Sequence, residues 1–349
     1  MKKALALVLS ACVALSLLAG CGGPSGNTPG GTGGSQGNTP GGNDQVFNIK
    51  FECVLNEASY WYQLGVKMSE MLEERTNGRI KMECYANAQL AGGNQQKGLE
   101  NVINNVVQVD CRSSMLWQVM DDKLGIWAIP FFYESTDVIL NDLEFGEGGQ
   151  AYAAAMENLG LKLMGLVEYG PRPIATNKPL TSYDDIQGMK IRVASVPLHL
   201  DGLTAIGANP MAMNWSEMYT GLQQGTVDGM EAPYQVMIDN TVYDVCKYYY
   251  DCDWVMDPGV VTVNAGFYNS LPDDLRQIFD EVFEECRAWE IQEFQAANAS
   301  AKERLEKEFG CAINPMTDAD REKFITAMRP VFDAYEAAVG SEYLNLFRK

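Results

Sequence analysis

Few residues in this chain are spaced as the groups that make and break bonds. The single histidine, His199, sits in an apolar helical stretch, and there is no second one to complete a Ser-His or Cys-His pair on the usual pattern. No glycine-rich phosphate loop is present, and no cluster of side chains has metal-ligand spacing. Adjacent carboxylates such as Asp184 and Asp185 stand at a helix start, where they complement the helix dipole. A hydrolase built on carboxylates alone stays formally open, but nothing points to it. Beyond Cys12 and Cys21 the cysteines are Cys53, Cys84, Cys111, Cys246, Cys252, Cys286 and Cys311, an odd number that cannot all pair within one chain. Most lie in apolar or helical patterns and read as small buried hydrophobes, although an exported chain could form disulfides. The expectation is a protein that is not an enzyme and carries no cofactor and no metal.

Charge narrows the partners. The formal net charge of −20 argues against nucleic acid and against electrostatic docking on anionic lipid. The first stretch, 1–20, has two lysines, then an apolar run, then small residues, in the layout of a secretory signal peptide. Its ending, Leu18-Ala19-Gly20-Cys21, resembles the lipobox of bacterial lipoproteins, which implies lipidation of Cys21 and a membrane anchor. Residues 21–45 are nearly all Gly, Pro, Ser, Thr, Asn and Gln, a flexible linker with nothing to bury. About 300 residues remain, enough for two lobes with cores of their own.

Hydrophobic periodicity then supplies the elements that must position any site. Phe47 to Val54, Ile80 to Tyr85 and Val106 to Cys111 read as strands, with helices at Tyr60 to Thr76 and Gln95 to Asn104 between them. That β-α-β-α-β order predicts a parallel sheet with crossovers. A second series starts near Pro171, with a strand at Met189 to Val193, a helix at Pro197 to Ile206 and a strand at Val227 to Met230. Asn214 with Glu217 three residues on suggests a capped helix, and Ile238 to Tyr243 suggests the start of another. From Pro272 to Gly310 no other proline or glycine interrupts the pattern. A helix of that length reaches roughly 55 Å and should span both lobes. A last helix is expected from Asp318 to Val339.

The middle third carries specific motifs. It reads Gly170-Pro171-Arg172, Asn177-Lys178-Pro179-Leu180, Gly188-Met189-Lys190-Ile191-Arg192-Val193, Trp215-Ser216-Glu217 and Val227-Asp228-Gly229-Met230-Glu231-Ala232-Pro233. These segments closely resemble the substrate-binding proteins of TRAP transporters, the ATP-independent family that includes C4-dicarboxylate and sialic-acid receptors. Gln89-Leu90, Ile129-Pro130-Phe131 and Leu271-Pro272 match as well, so the resemblance covers essentially the whole chain after Val46. It implies an α/β, two-lobed, periplasmic-binding-protein-like fold with a long hinge-spanning helix. Lobe I is expected at 46–169 plus about 257–285, lobe II at 170–256 plus about 310–349, and the shared helix at 272–309.

The resemblance also implies roles. Arg192 stands where the family holds a ligand carboxylate, a task that suits a planar guanidinium better than an ammonium. Arg172 matches a second family arginine. The family's ligand-binding asparagine is replaced by Ala232, its phenylalanine by Trp215, and Trp254 stands where histidine is frequent. Arg112, next to Ser113, holds a second acidic group if it faces the cleft and is an ordinary charge if it does not. Gln89 and Tyr234 complete the expected ligand-binding set. Trp117, Tyr133 and Tyr248-Tyr249-Tyr250 are aromatic candidates that serve equally well as core. The function implied is an extracytoplasmic, lipid-anchored, monomeric receptor that passes a small organic acid to integral membrane TRAP subunits. An ABC-type or sensory solute-binding lipoprotein is the alternative.

Overall fold

Residues 45–348 are described in a computed structural model of the chain. The expected signal segment, Cys21 and the glycine-rich linker up to 44 lie outside them. Alternation builds the first strand, β1 (Phe47–Cys53): Phe47, Ile49 and Phe51 are buried, while Asn48 and Lys50 face solvent. The helix Tyr60–Arg75 follows, capped by the Ser59 hydroxyl, which accepts from the Tyr62 N–H at 3.2 Å. The chain returns in β2 (Ile80–Tyr85), parallel to β1. After the helix Gln95–Ile103 it enters β3 (Val109–Ser113), parallel to β1 on the other side. The expected β-α-β-α-β unit is therefore present.

The helix Glu147–Asn158 leads into β4 (Leu161–Pro171), after which the chain crosses to a second sheet. That sheet holds β5 (Ile174–Thr176), β6 (Lys190–Val193), β7 (Asn209–Ala212), β8 (Gly229–Glu231) and β9 (Tyr248–Asp251). Between β9 and the next element the chain crosses back. It inserts β10 (Met256–Asn264) between β3 and β4, antiparallel to both. The first sheet thus runs β2-β1-β3-β10-β4, and the second, completed by β11 (Ala312–Pro315), runs β11-β9-β5-β8-β6-β7. Each sheet is parallel except for one strand that has just arrived from the other: β10 in the first, β5 in the second.

The two crossovers lie side by side. Pro171 faces Met256 in register, and the Arg172 N–H donates to the Val255 carbonyl at 3.0 Å. The third connection is the helix Asp273–Lys307, of 35 residues. Its first half is tied to the first lobe through Arg287, whose Nε donates to the Leu166 carbonyl at 2.6 Å. Its second half is tied to the second lobe through Asn298, whose Oδ1 accepts from the Gln235 N–H at 3.1 Å, and Lys302, which pairs with Asp251 at 2.6 Å.

Two local expectations change. The helix expected to begin at Ile238 is instead Tyr234–Asp239, and a short 3-10 turn, Val242–Asp244, follows it. Thr241 between them adopts a left-handed conformation (φ 51°), which stops the first helix. The last helix, Asp318–Val339, packs on the helix Pro197–Ala205 of the second lobe, but the chain end returns to the first. There the Tyr335 hydroxyl donates to the Asp122 carbonyl at 2.8 Å, and Phe347 meets Trp127 edge-on with ring centroids 4.8 Å apart. All seven cysteines of the described residues are unpaired, and only Cys84 is not fully buried.

Candidate functional site

Strand register gathers the central residues at one end of the second sheet. Arg192 in β6 faces Met230 in β8, so the next residue of β8, Glu231, lies beyond it at the carboxyl ends of these parallel strands. Glu231 in turn faces Ile174, the first residue of β5, two positions after Arg172. In open α/β sheets this end of the strands, at a crossover, is where ligands collect.

Arg192 is buried, and its Nε and Nη2 both donate to the Met213 carbonyl, at 3.0 and 2.7 Å. Nη2 also reaches Gln95 Oε1 from the first lobe at 3.4 Å. The guanidinium carbon lies 5.4 Å from the centroid of the Trp215 ring, which heads the helix Trp215–Gln223 and gives the cation an aromatic floor. No carboxylate pairs with Arg192 among the described residues. Burial pulls its pKa down to about 10, with Glu231 opposing that shift and Arg172 adding to it.

Arg172 has a different environment. It forms a two-pronged pair with Glu231, through Nε to Oε2 and through Nη2 to Oε1, the latter at 2.9 Å. Its Nη1 donates to Asp257 Oδ2 at 2.8 Å. Asp257 belongs to β10 of the first sheet, so this buried cluster joins the two lobes beside the paired crossovers. Asp257 also accepts from the Ser113 hydroxyl at 2.5 Å, the Ser114 hydroxyl at 2.7 Å and the Ser114 N–H at 3.1 Å. Burial works against the charge on Arg172, but Glu231 and Asp257 together hold its pKa above the ordinary arginine value.

Arg112, on β3, is turned toward carboxylates of its own lobe. Its Nε donates to Asp110 Oδ1 at 2.8 Å and its Nη2 to Glu52 Oε2 at 2.9 Å. It lies against the helix Gln95–Ile103 where Gly98 leaves room, since a Cβ there would stand 2.1 Å from Nη2. Burial pushes the Asp110 carboxyl up to about 7 despite the pull of Arg112.

The other expected residues are dispersed. Trp254 packs on His199, ring centroids 5.0 Å apart, and against Gly202 in the core. Tyr234 donates to Asp251 Oδ1 at 2.8 Å beneath Lys302. Gln89 is exposed, and its side chain makes no hydrogen bond among the described residues. Sequence reasoning missed Asp257, Glu52 and Gln95. Asp257 and Gln95 meet their arginines from the other lobe and Glu52 meets Arg112 from the neighbouring strand, so only a strand order could have revealed them.

Gln95 belongs to a contact between the lobes. Its N–H donates to Asn214 Oδ1 at 3.3 Å, the Ser216 hydroxyl donates to the Gly93 carbonyl at 3.2 Å, and the Leu198 N–H donates to Gln118 Oε1 at 3.0 Å. Asn214 has the extended backbone of a helix cap, yet its side-chain oxygen serves this contact instead of the helix. A cavity of about 120 Å³ lies here, lined by Gln95, Leu99, Leu116, Ser195 and Asn214 among others. Arg192 and Trp215 are not among the residues that line it. A buried guanidinium on an aromatic floor, with Gln95 beside it, is suited to holding an anion; it offers no nucleophile-base pair.

Residues 51–338 match the family described as bacterial extracellular solute-binding protein, family 7. The C4-dicarboxylate-binding periplasmic protein DctP of Shewanella loihica is 26% identical over 298 residues, 85% of this chain and 88% of the relative. A TRAP periplasmic solute-binding protein of Shewanella oneidensis, solved with bound succinate, superposes with a TM-score of 0.81 at 25% identity, covering 87% of this chain and 98% of the other. A second, from Ralstonia eutropha with bound (S)-2-acetolactate, gives 0.81 at 26% identity over 86% and 97% of the two chains. The fold, its length and its sequence agree: the chain belongs to family 7 of the bacterial extracellular solute-binding proteins, the solute-binding proteins of TRAP transport.

Proposed function

We propose that this protein is the extracytoplasmic receptor of a TRAP transporter, holding a small organic acid by its carboxylate on Arg192 and delivering it, as a monomer, to integral membrane subunits. One observation carries the reading. Four arginines are buried among the described residues, and three of them, Arg112, Arg172 and Arg287, have carboxylate partners. Arg192 alone has none, although it lies at the strand ends where the lobes meet. A buried cation without a counter-charge is costly unless an anion joins it. The ligand carboxylate would supply that charge and would take the place of Gln95 Oε1, the weakest of the hydrogen bonds to Arg192.

Arg192→Ala is expected to leave the fold intact and to remove about 3–5 kcal/mol of binding, two to four decades of affinity. Titration calorimetry against small organic acids checks this, and unchanged affinity would end the carboxylate-clamp reading. Tethering through a lipid on Cys21 is the other part of the proposal. Cys21→Ser is expected to move the protein from the membrane fraction to the soluble exported fraction; retention on membranes would remove the lipid anchor.

A further inference from the structure

The charge balance of the site says more than that it takes an acid. Glu231 and Asp257 share Arg172, and Glu52 and Asp110 share Arg112. Arg172 therefore already meets more negative charge than it carries, and Arg112 is already paired with Glu52, with the Asp110 carboxyl beside it. Arg172 has no position left for a carboxylate of the ligand: its fork closes on Glu231, and its remaining terminal nitrogen is held by Asp257. Arg112 keeps its Nη1 without a partner among the described residues, but that nitrogen is buried. Arg112 lies wholly buried under the helix Gln95–Ile103, filling the space that Gly98 leaves. Asp257 is fixed in place by Ser113 and Ser114 as well, so it cannot readily yield its position on Arg172.

From this we infer that the ligand is a monocarboxylate whose remaining polar groups are uncharged, and that a dicarboxylate is selected against. The inference rests on the organic-acid reading given above. A first carboxylate meets the one unpaired guanidinium. A second would enter a site whose other cations already hold carboxylates of the protein, two of them on Arg172, and like charges in a buried site repel strongly. Asp257 is thereby a specificity-determining residue: it occupies Arg172 with the protein's own acid.

The test compares molecules matched in shape and differing in charge: succinamate with succinate, D-glucuronate with D-glucarate, and phthalamate with phthalate. Affinities are measured by calorimetry on the wild-type protein and on Asp257→Asn, with unfolding curves recorded for both. The expected result is that at least one monocarboxylate binds at least tenfold more tightly than its dicarboxylate counterpart, and that Asp257→Asn narrows that ratio at least threefold. A dicarboxylate bound as tightly as its partner, or a ratio that Asp257→Asn leaves unchanged in a folded protein, overturns the inference and leaves the receptor reading standing. Should the variant not fold, the wild-type ratios decide alone. Binding of none of the six at millimolar concentration counts against the organic-acid reading itself, and the inference falls with it.

Discussion

Replacing Arg172 by methionine should strand one carboxylate much more than the other. Both oxygens of the Glu231 side chain accept hydrogen bonds from Arg172 and from no other group among the described residues. Asp257 would keep its bonds from Ser113 and Ser114. Breaking a buried pair by removing one partner costs about 3–5 kcal/mol, because the remaining charge has no compensation. Against a total stability of about 5–15 kcal/mol that is about a fifth or more. Most of it should trace to Glu231. Adding Glu231→Gln to Arg172→Met is expected to recover at least about 2 kcal/mol, since a neutral amide is far cheaper to bury than an unpaired charge. Adding Asp257→Asn should recover less than about 1 kcal/mol, because the serines already compensate that carboxylate. Urea unfolding of the wild type, the single variant and the two doubles measures each step. Equal recovery by the two doubles, or greater recovery by Asp257→Asn, would refute the assignment of Glu231 as the dependent partner.

Two further outcomes follow from packing and from buried acids. Gly259 lies in β10 under Trp61 and beside Val167, where a Cβ would stand 2.7 Å from the indole and 2.6 Å from the valine methyl; Gly259→Ala should cost about 1–3 kcal/mol by urea unfolding, and a neutral result would mean that Trp61 can move. Burial pushes Asp110 and Glu144 up to about 7, and Asp239 and Asp253 up to about 6. The folded protein therefore keeps protons that the unfolded chain releases near pH 4, so this contribution is full below that point and is lost as pH rises toward 7. The melting temperature should accordingly be higher at about pH 5.5 than at about pH 8, and a curve that rises over that interval would show that these acids are not protonated as proposed.

Legibility in the sequence followed locality. β1, β2 and β3 were readable because one face of β1 alternates and helices with clear stops separate the strands. The long helix was readable because nothing interrupts it. β10 was not: it is buried along nearly its whole length, so it shows no period of two, and Pro258 and Gly259 look like a turn until the register shift between Asp257 and Gly259 is known. β5, of three residues, is too short to leave a pattern. At the site, Arg192 was legible through its resemblance and Trp215 through its place before Ser216 and Glu217. The arginines' partners were not legible. Glu231 is 59 residues from Arg172, Asp257 is 144 from Ser113, and Glu52 is 60 from Arg112. Whether an arginine awaits a ligand or already has an acid is decided by that long-range pairing.

The insertion of a late strand into the first sheet also bears on when the protein can fold. A chain emerging from its amino terminus cannot close the first sheet until β10, ending at Asn264, is available to sit between β3 and β4. The second sheet gains its edge strand, β11, only at Pro315. The first lobe therefore cannot mature as an early, independent unit during synthesis, as consecutive domains usually do. For a chain read as bound for export, that delay is useful: most of its length can pass through a translocation channel before the first lobe has become too stable to thread.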